Sequence, residues 1–332
     1  MPDVEEAYQA LKAAVKERGL MRRAYVYYSV YATIVLTGIL SSLYFVTATD
    51  SMLLQVLNGV FLGVMSVQAG MFGHDLSHSQ VFVSPRLNRF AALVVWGLVG
   101  GLSESKWYEK HNAHHEAPNK IGHDPDLDIP FIFSENQIPY RSAFFKKWIL
   151  PYQHILFFAS LPFIYITWIV FSMRHIFQGF SVRTFTELCL MCIRHSLLLY
   201  IVFANLPFWT GCIFIATLFS VAGLYMSLVF APNHKGEEVL GPGEEESWIH
   251  QITLTRNLYP SVLVFHVFGG LNFQIEHHLF PGMPRINYCK AQPMVKEFAI
   301  ANGLSYHETS FIGSMKEIYS ALKEQAVFSR KA

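Results

Sequence analysis

The sequence has little charge and little cysteine for a chain of 332 residues. Charged residues make up 15% of it against 52% apolar residues, and the formal net charge is +1. A nearly neutral chain argues against a nucleic-acid partner, which would need a basic surface. The shortage of charge argues against a soluble domain, in which about a quarter of the residues are charged. The composition is typical of an integral membrane protein.

The chain also has few cysteines and lacks several familiar catalytic motifs, and this narrows the classes of protein to which it could belong. The chain has four cysteines, and Cys189 and Cys192 form a C-x-x-C pair inside an apolar run. A redox or metal pair needs a polar, accessible setting, so we interpret both as small apolar side chains. The sequence contains no HExxH, G-x-S-x-G, Walker A or G-x-G-x-x-G motif. It therefore does not indicate a zincin protease, a serine hydrolase, a P-loop enzyme or a nicotinamide cofactor.

Long apolar runs predict four membrane spans. They cover about residues 25–48, 52–72, 187–205 and 208–231, each near the ~20 residues that cross the hydrocarbon core. Residues 89–102 are short and rich in glycine, and residues 148–171 carry two prolines and polar side chains. We interpret both stretches as interfacial or re-entrant segments.

The distribution of Lys and Arg predicts the topology. These residues cluster before the first span, between residues 86 and 147, and at Arg174 and Arg183, whereas the two short links between spans carry none. The positive-inside rule then places both termini in the cytoplasm, and a crossing at 148–171 would put Arg174 and Arg183 outside. We predict one all-α membrane domain over 1–332. It has an amphipathic arm at 1–24, four spans with interfacial segments at 25–231, and a cytoplasmic helical cap at 232–332.

The histidines are clustered rather than scattered. The chain has fifteen, and eight of them lie in HDLSH, HNAHH, NH and QIEHH motifs. Residues i, i+3 and i+4 share one face of a helix, so each motif aims its imidazoles at one point. The predicted topology puts all of them on the cytoplasmic side. The candidate ligands are His74, His78, His111, His114, His115, His234, His277 and His278.

Eight imidazoles are too many for one metal ion and suit two. Imidazole binds Zn, Cu, Fe or Ni, and a closed structural zinc site would more often use cysteine. An open, nitrogen-rich pair of metals indicates redox chemistry with oxygen, most simply on iron. Outer ligands that orient imidazole N–H groups are predicted among the neighbouring carboxylates Asp75, Glu116 and Glu276.

At this point the motifs resemble a known family. The order HxxxH, HxxHH, QxxHH is similar to that of the membrane fatty acid desaturases. Gln274 of the third motif resembles the front-end group, which includes Δ6 and Δ5 acyl desaturases. It stands where other desaturases have a histidine, and the resemblance implies that Gln274 and Asn233 act on the metals as outer ligands or through water. WYEKHNAHH, PNKIGHDPDLDIP, APNH and GGLNFQIEHHLFPGMPR carry the likeness, over about residues 25–300. The resemblance implies two irons, molecular oxygen as co-substrate, and a cis double bond formed in an acyl chain. Zinc is expected only as an artefact of isolation.

The resemblance also implies an electron donor, and the sequence departs from the family's usual pattern in some places. Many relatives carry a fused cytochrome b5 domain with an HPGG motif, which this sequence lacks. Electrons are therefore expected from a separate ferredoxin or cytochrome b5 with its reductase, which favours a bacterial inner membrane. The first box reads HDLSH where the group more often has small residues, and Trp107–Tyr108 replaces a frequent pair of tryptophans. The acyl carrier, whether CoA, acyl carrier protein or glycerolipid, is left open.

Three residues are candidates for substrate contact. Arg194 lies inside the third predicted span, where an ionised side chain is a functional candidate, although snorkelling to the interface is an equal alternative. Trp107 and Tyr108 are candidate walls of an acyl tunnel or ordinary packing residues. Acyl hydroxylation and acetylenic-bond formation stay open as alternative reactions on the same metals. A histidine-rich metal transporter and a membrane scaffold are more distant alternatives.

Overall fold

A computed structural model describes residues 4–128, 142–245 and 247–328. Its fifteen described α-helices and two short strands agree with the prediction of a helical protein. The helices are α1 (Val4–Glu17), α2 (Tyr25–Ala48), α3 (Met52–Ser77), α4 (Pro85–Val94), α5 (Glu104–Glu116), α6 (Ala143–Trp148), α7 (Gln153–Ser160), α8 (Ile164–Gln178), α9 (Val182–Asn205), α10 (Phe208–His234), α11 (His250–Thr253), α12 (Val262–Val267), α13 (Gln274–Leu279), α14 (Tyr288–Ala301) and α15 (Phe311–Phe328). The strands are β1 (Arg256–Leu258) and β2 (His307–Thr309).

The chain divides into two compact units, each made of separate segments. The two-segment unit comprises residues 23–109 and 161–228, and the three-segment unit comprises residues 1–22, 110–160 and 229–332. Helices α5 and α10 each begin in the first of these units and end in the second.

The two-segment unit has a core formed by four long apolar helices. Side chains of α2, α3, α9 and α10 meet in one cluster: Val46, Leu62, Leu198, Val202, Leu206, Phe214 and Leu218. Gly63 lets α3 and α10 approach closely, because a Cβ there would lie 2.9 Å from Val221 and 3.1 Å from the Leu218 carbonyl. Small residues serve this purpose in membrane helix pairs. Between α2 and α3, the Ser42 hydroxyl donates to Asn58 Oδ1 at 2.6 Å, so these buried polar groups are satisfied.

Five described helical stretches are long and apolar enough to cross a membrane. Four contain the predicted spans, and the fifth is Ala143–Gln178. This fifth stretch contains the segment predicted to be interfacial, and it is interrupted by short 3₁₀ turns at Leu150–Tyr152 and Leu161–Phe163, which include its two prolines. The chain is thus an integral membrane protein by length and composition of its helices, with five candidate spans rather than a fixed count of four.

Two helices extend beyond their predicted ends, and this changes where the histidines lie. Helix α3 continues to Ser77, so His74 lies within it and His78 caps its end, with the His78 N–H donating to the His74 carbonyl. Helix α10 continues through Pro232 to His234. The sequence predicted both histidines just after the spans, and helical continuation puts each on a final helical turn instead.

The N-terminal arm packs into the core of the three-segment unit. Tyr8, Leu11 and Val15 of α1 are buried in a cluster with residues of α13 and α14. The Tyr8 ring stacks on Trp248 with centroids 4.0 Å apart. Asp3, which the sequence predicts as the N-terminal cap of this helix, lies outside the described residues. The arm is therefore part of a folded core, and its apolar face meets protein.

Two further contacts organise the three-segment unit. Strands β1 and β2 pair in parallel, with Arg256 opposite His307 and Leu258 opposite Thr309. The buried Gln153 of α7 donates to the Leu322 carbonyl at 3.0 Å and so holds α15. The strand pair was not predicted, because three-residue strands carry too short a pattern to recognise.

Candidate metal centre

The second histidine motif lies on one helix, as its spacing predicted. Helix α5 contains His111, His114 and His115. His114 is 2% exposed and His111 is 9% exposed. Burial of imidazoles at this density requires partners for their nitrogens, since an unpaired buried polar group is costly. The partners come from α10 and α13 of the same three-segment unit.

The first group of imidazoles, which we call the first trio, consists of His111, His115 and His277. The Nε2 atom of His115 lies 3.1 Å from His111 Nε2 and 3.0 Å from His277 Nε2. His277 is completely buried. The three rings therefore direct the same type of nitrogen atom at one point.

A second group, the second trio, consists of His114, His234 and His278. Each of these buried side chains offers one nitrogen, and the three nitrogens lie within 4.8 Å of one another. The Nε2 atoms of His114 and His234 are 3.2 Å apart. The stacked rings of His115 and His278, with centroids 4.2 Å apart, bring the two trios side by side.

The spacing of these nitrogens fits metal ligation. A metal about 2.1 Å from each of two imidazole nitrogens separates them by about 3.0 Å at a right angle and by about 3.4 Å at the tetrahedral angle. The measured separations of 3.0, 3.1 and 3.2 Å lie in this range. Three converging Nε2 atoms cannot satisfy one another by hydrogen bonding when their protons lie on Nδ1, whereas a cation accepts all three lone pairs. The residues present fit two metal ions.

Hydrogen bonds at the outer nitrogens fix those protons. The His114 Nδ1 atom lies 2.9 Å from Asp124 Oδ2, and His278 Nδ1 lies 2.5 Å from Gln251 Oε1. The Gln251 amide is oriented by its own donation to the His115 carbonyl at 2.6 Å. Because both partners are acceptors, each Nδ1 carries the proton and each Nε2 presents a lone pair inward. In the first trio, His277 Nδ1 lies 3.0 Å from the Tyr288 hydroxyl.

Asp124 is held as a carboxylate by its surroundings. Burial alone would raise its pKa, but the neighbouring His114 imidazole and hydrogen bonds from His114 and the Asn119 N–H hold the pKa of Asp124 below its ordinary value. Asn119 has a positive φ of 55°, which Asn tolerates better than most residues. This conformation accompanies the donation from the Asn119 N–H to Asp124 at 2.8 Å. The turn after α5 thus supplies a fixed anion to the second trio.

Two residues predicted as outer ligands also contact the second trio. Gln274 Nε2 lies 2.9 Å from His234 Nε2. Asn233 Nδ2 donates to Gln274 Oε1 at 3.1 Å and to the Leu271 carbonyl at 3.1 Å. Asn233 therefore orients the Gln274 amide, which in turn contacts His234.

Glu276 was predicted to orient an imidazole, but its carboxylate bonds to other side chains. Its carboxylate accepts from Asn257 Nδ2 at 2.8 Å and from the Tyr306 hydroxyl at 2.7 Å. Complete burial raises the pKa of Glu276 to about 7, against the opposing effect of these two hydrogen bonds. These two hydrogen bonds of Glu276 hold α13 in place and do not involve a histidine ring. Glu116 is exposed at the end of α5.

The first histidine motif lies in the two-segment unit. The rings of His74 and His78 meet edge to face with centroids 4.7 Å apart. His74 Nδ1 lies 3.3 Å from Asp75 Oδ1, and the role of Asp75 as an outer ligand stays a prediction. Trp107 packs edge to face against His74 at 5.6 Å and stacks on Trp96 at 4.8 Å. Trp107 therefore packs against the first motif.

The other two predicted substrate residues contact protein groups. The Arg194 guanidinium lies 3.4 Å from the Val99 carbonyl and 3.4 Å from His195 Nδ1, and it is 9% exposed. Arg89 lies over the Tyr108 ring at 5.2 Å. For Arg194 these contacts give a structural reason for a buried cation, and its contact with substrate stays a prediction, as it does for Trp107 and Tyr108.

Sequence reasoning missed Asp124, Gln251 and Tyr288. Asp124 lies in GHDPD directly after the second motif, and an acidic residue so close to a histidine cluster was an available signal. Gln251 and Tyr288 carry no local signal, because they reach the imidazoles only through the tertiary fold.

Comparison with known proteins identifies the family. The model of the family described as fatty acid desaturase matches residues 51–310, which is more than half of the chain. The chain belongs to the fatty acid desaturase family. The matched range contains all eight predicted histidine ligands.

Curated relatives support this assignment and include front-end enzymes by name. The chain is 32% identical over 75% of its length to the Delta(5) fatty acid desaturase fat-4 of Caenorhabditis elegans, covering 59% of that protein. It is 30% identical over 87% of its length to the acyl-lipid (9-3)-desaturase of Borago officinalis, covering 68% of it. It is also 30% identical over 91% of its length to the Delta(6)-fatty-acid desaturase fat-3 of Caenorhabditis elegans, covering 70%. The chain spans between about half and about two thirds of the length of such relatives.

Proposed function

We propose that the protein is an oxygen-dependent fatty acyl desaturase that introduces a cis double bond on the carboxyl side of an acyl chain. The observation that carries this proposal is the pair of imidazole trios, with Nε2 atoms 3.0 to 3.2 Å apart. Membership of the family and the Delta(5) and Delta(6) names of two relatives support the reaction and the front-end position.

The proposed cofactors are two iron ions, one for each trio. Bound iron would supply activation of molecular oxygen, which with two external electrons and two protons takes two hydrogens from the chain and leaves as two waters. The protein's own residues hold the ligands in place. Asp124 and Gln251 keep the protons of His114 and His278 on Nδ1. The ligand set alone suits zinc as well as iron, so iron is supported mainly by the family, and zinc in an isolated sample would be an artefact.

His74 and His78 are proposed as further iron ligands. Their support is the spacing of the HDLSH motif and the match of the family to residues 51–310. The edge-to-face contact of their rings at 4.7 Å presents two imidazoles from one helix end. Gln274 and Asn233 are proposed to act on the second metal through His234 or a water molecule.

The proposed topology keeps both termini and the metal centre on the cytoplasmic side. The distribution of Lys and Arg supports four crossings by α2, α3, α9 and α10. The prolines that interrupt Ala143–Gln178 support an interfacial path for that stretch, whose length alone would permit a fifth crossing. Relatives from nematodes, a moss, flowering plants and mammals give no support to the predicted bacterial inner membrane.

The substrate is proposed to be a fatty acyl chain linked to CoA, acyl carrier protein or a glycerolipid. Electrons are proposed to come from a ferredoxin or cytochrome b5 with its reductase. An apolar chain needs little more from the protein than a shaped path that places one bond at the metals.

The test is to express the chain with a ferredoxin and its reductase beside a variant with both His277→Ala and His278→Ala. Acyl chains are then analysed by gas chromatography and mass spectrometry. A new species lighter by two hydrogens, absent with the variant, is expected, with its double bond between the carboxyl end and any existing double bond. A species heavier by one oxygen atom would instead assign hydroxylation. Metal uptake into vesicles without oxygen consumption would favour a transporter.

A further inference from the structure

Strand β1 places two buried polar side chains next to each other between the elements that carry the trios. Arg256 is 1% exposed and Asn257 is completely buried. Successive side chains of a strand point to opposite faces. Adjacent residues of β1 can therefore contact different elements, and in this unit those elements are α10 and α13.

Arg256 occupies the carboxyl end of α10. Its Nε donates to the Pro232 carbonyl at 2.7 Å, and one of its Nη atoms donates to the Lys235 carbonyl at 2.7 Å. The last carbonyls of a helix have no partner within the helix and attract cations. His234 lies between the two carbonyls, so the guanidinium clamps the turn that presents its ring.

The same guanidinium is fixed from the other side by two carboxylates. Its Nη1 lies 3.0 Å from Glu237 Oε1 and also contacts Glu317 of α15. A buried charge is tolerated when it is paired and hydrogen-bonded. Arg256 thus joins the end of α10, the turn after it and α15 through one planar group, which a lysine could not do in the same way.

Asn257 contacts the start of α13. Its Oδ1 accepts from the Ile275 N–H at 2.9 Å, and its Nδ2 donates to Glu276 at 2.8 Å and to the Tyr306 hydroxyl at 2.7 Å. The Leu258 N–H donates to the Asn272 carbonyl at 2.9 Å, immediately before the helix. Helix α13 carries His277 for the first trio and His278 for the second.

We propose that Arg256 and Asn257 are positioning residues of the metal centre. These two adjacent residues of β1 fix the positions of the end of α10 and of α13. Arg256 sets the place of His234 and therefore acts on the second trio. Asn257 sets the place of α13 and therefore acts on both trios. This inference rests on the proposed function, because it supposes that the trios bind metal.

The proposal is tested by metal binding rather than by turnover. Metal-free protein in detergent is titrated with Co²⁺, whose visible absorption reports the ligand geometry at each site. Wild-type protein is expected to bind two ions per chain. Arg256→Lys is expected to weaken one of the two binding events by about tenfold to a hundredfold, the usual effect of losing an outer partner. Asn257→Ala is expected to weaken both and to change both spectra.

A matched control separates positioning from general loss of stability. Gln153→Leu removes a buried side chain that also bonds a backbone carbonyl and holds α15, but Gln153 lies on α7, which carries none of the trio histidines. It should lower the unfolding temperature while leaving both Co²⁺ affinities and spectra unchanged. If it weakened Co²⁺ binding as Arg256→Lys does at equal loss of stability, the positioning role would be wrong.

A milder variant covers the case in which Arg256→Lys fails to fold. Glu317→Gln removes one partner of the guanidinium from a residue that is 37% exposed, and the same single Co²⁺ event should weaken by a smaller factor. Wild-type affinity at both sites in Glu317→Gln and Asn257→Ala would overturn the inference while leaving the proposed function standing. A wild-type protein that binds no Co²⁺ would overturn both.

Discussion

The first and second trios share helices α5 and α13, and the second also draws on α10, yet the rings of the two trios have different outer partners. His277 of the first trio meets a neutral phenol, Tyr288, at 3.0 Å. His114 of the second meets a buried carboxylate, Asp124, at 2.9 Å. A carboxylate partner makes the imidazole a more electron-rich ligand than a neutral partner does. The comparison indicates that the two proposed metal sites are chemically unequal although their nitrogen spacings are nearly the same.

The largest effects are expected from removing one imidazole from one trio at a time. His277→Ala should empty the first site and His278→Ala the second, and each should reduce desaturation by about a hundredfold or more, beyond the loss caused by removing an outer partner. Metal content measured on purified protein should fall from two ions to one in either variant. Loss of both ions in each variant would show that the trios form one inseparable unit.

A smaller effect is expected from Asp124→Asn, which removes the negative charge beside His114. The affinity of the second site should fall about tenfold to a hundredfold while the first site is unchanged. Calorimetric titration of metal-free protein measures both. Glu109→Gln is the control, since Glu109 is a carboxylate on the same helix that is 62% exposed, and it should leave both affinities unchanged. Equal weakening of the two sites by Asp124→Asn would remove the proposed inequality.

Tyr288→Phe should affect the first site less than Asp124→Asn affects the second. A neutral hydrogen bond contributes about 1 kcal/mol, so the affinity of the first site should fall roughly fivefold. The same titration measures it. Tyr259→Phe, at a residue that is 57% exposed, should have no effect. A loss at the first site as large as that caused by Asp124→Asn at the second would mean that the phenol is as strong a partner as the carboxylate.

No effect on either site is expected from loosening the N-terminal helix. Tyr8→Ala removes a buried ring, 7% exposed, that stacks on Trp248. It should cost about 2 to 4 kcal/mol of stability, seen as a lower unfolding temperature, with two metals still bound by the folded fraction. Tyr8→Phe keeps the stacking and should unfold near the wild-type temperature. Metal loss in folded Tyr8→Ala protein would mean that α1 also positions ligands.

Much of the helical fold and the two trios could be predicted from spacing alone. HxxHH on α5 and QxxHH on α13 contain their histidines at helical separations, and the short-range rule i, i+3, i+4 is enough to find them. The outer partners could not be found in this way. Gln251 and Tyr288 reach the histidines, and Arg256 reaches the turn that carries His234, only because distant segments pack together. A single sequence carries no local trace of that packing. The end of α10 was also predicted too early, because proline usually ends a helix. Helix α10 instead continues through Pro232 to His234.

The discontinuity of the three-segment unit has a consequence for how the protein is made. His115 and His277, which face each other at 3.0 Å, are 162 residues apart in the chain. A ribosome adding about 5 to 20 residues per second makes α5 roughly 10 to 30 s before α13. Through that interval the histidines of α5 have left the peptidyl transferase centre without their partners. Loading of the proposed metals is therefore expected late in biogenesis, after membrane insertion of the preceding helices has begun.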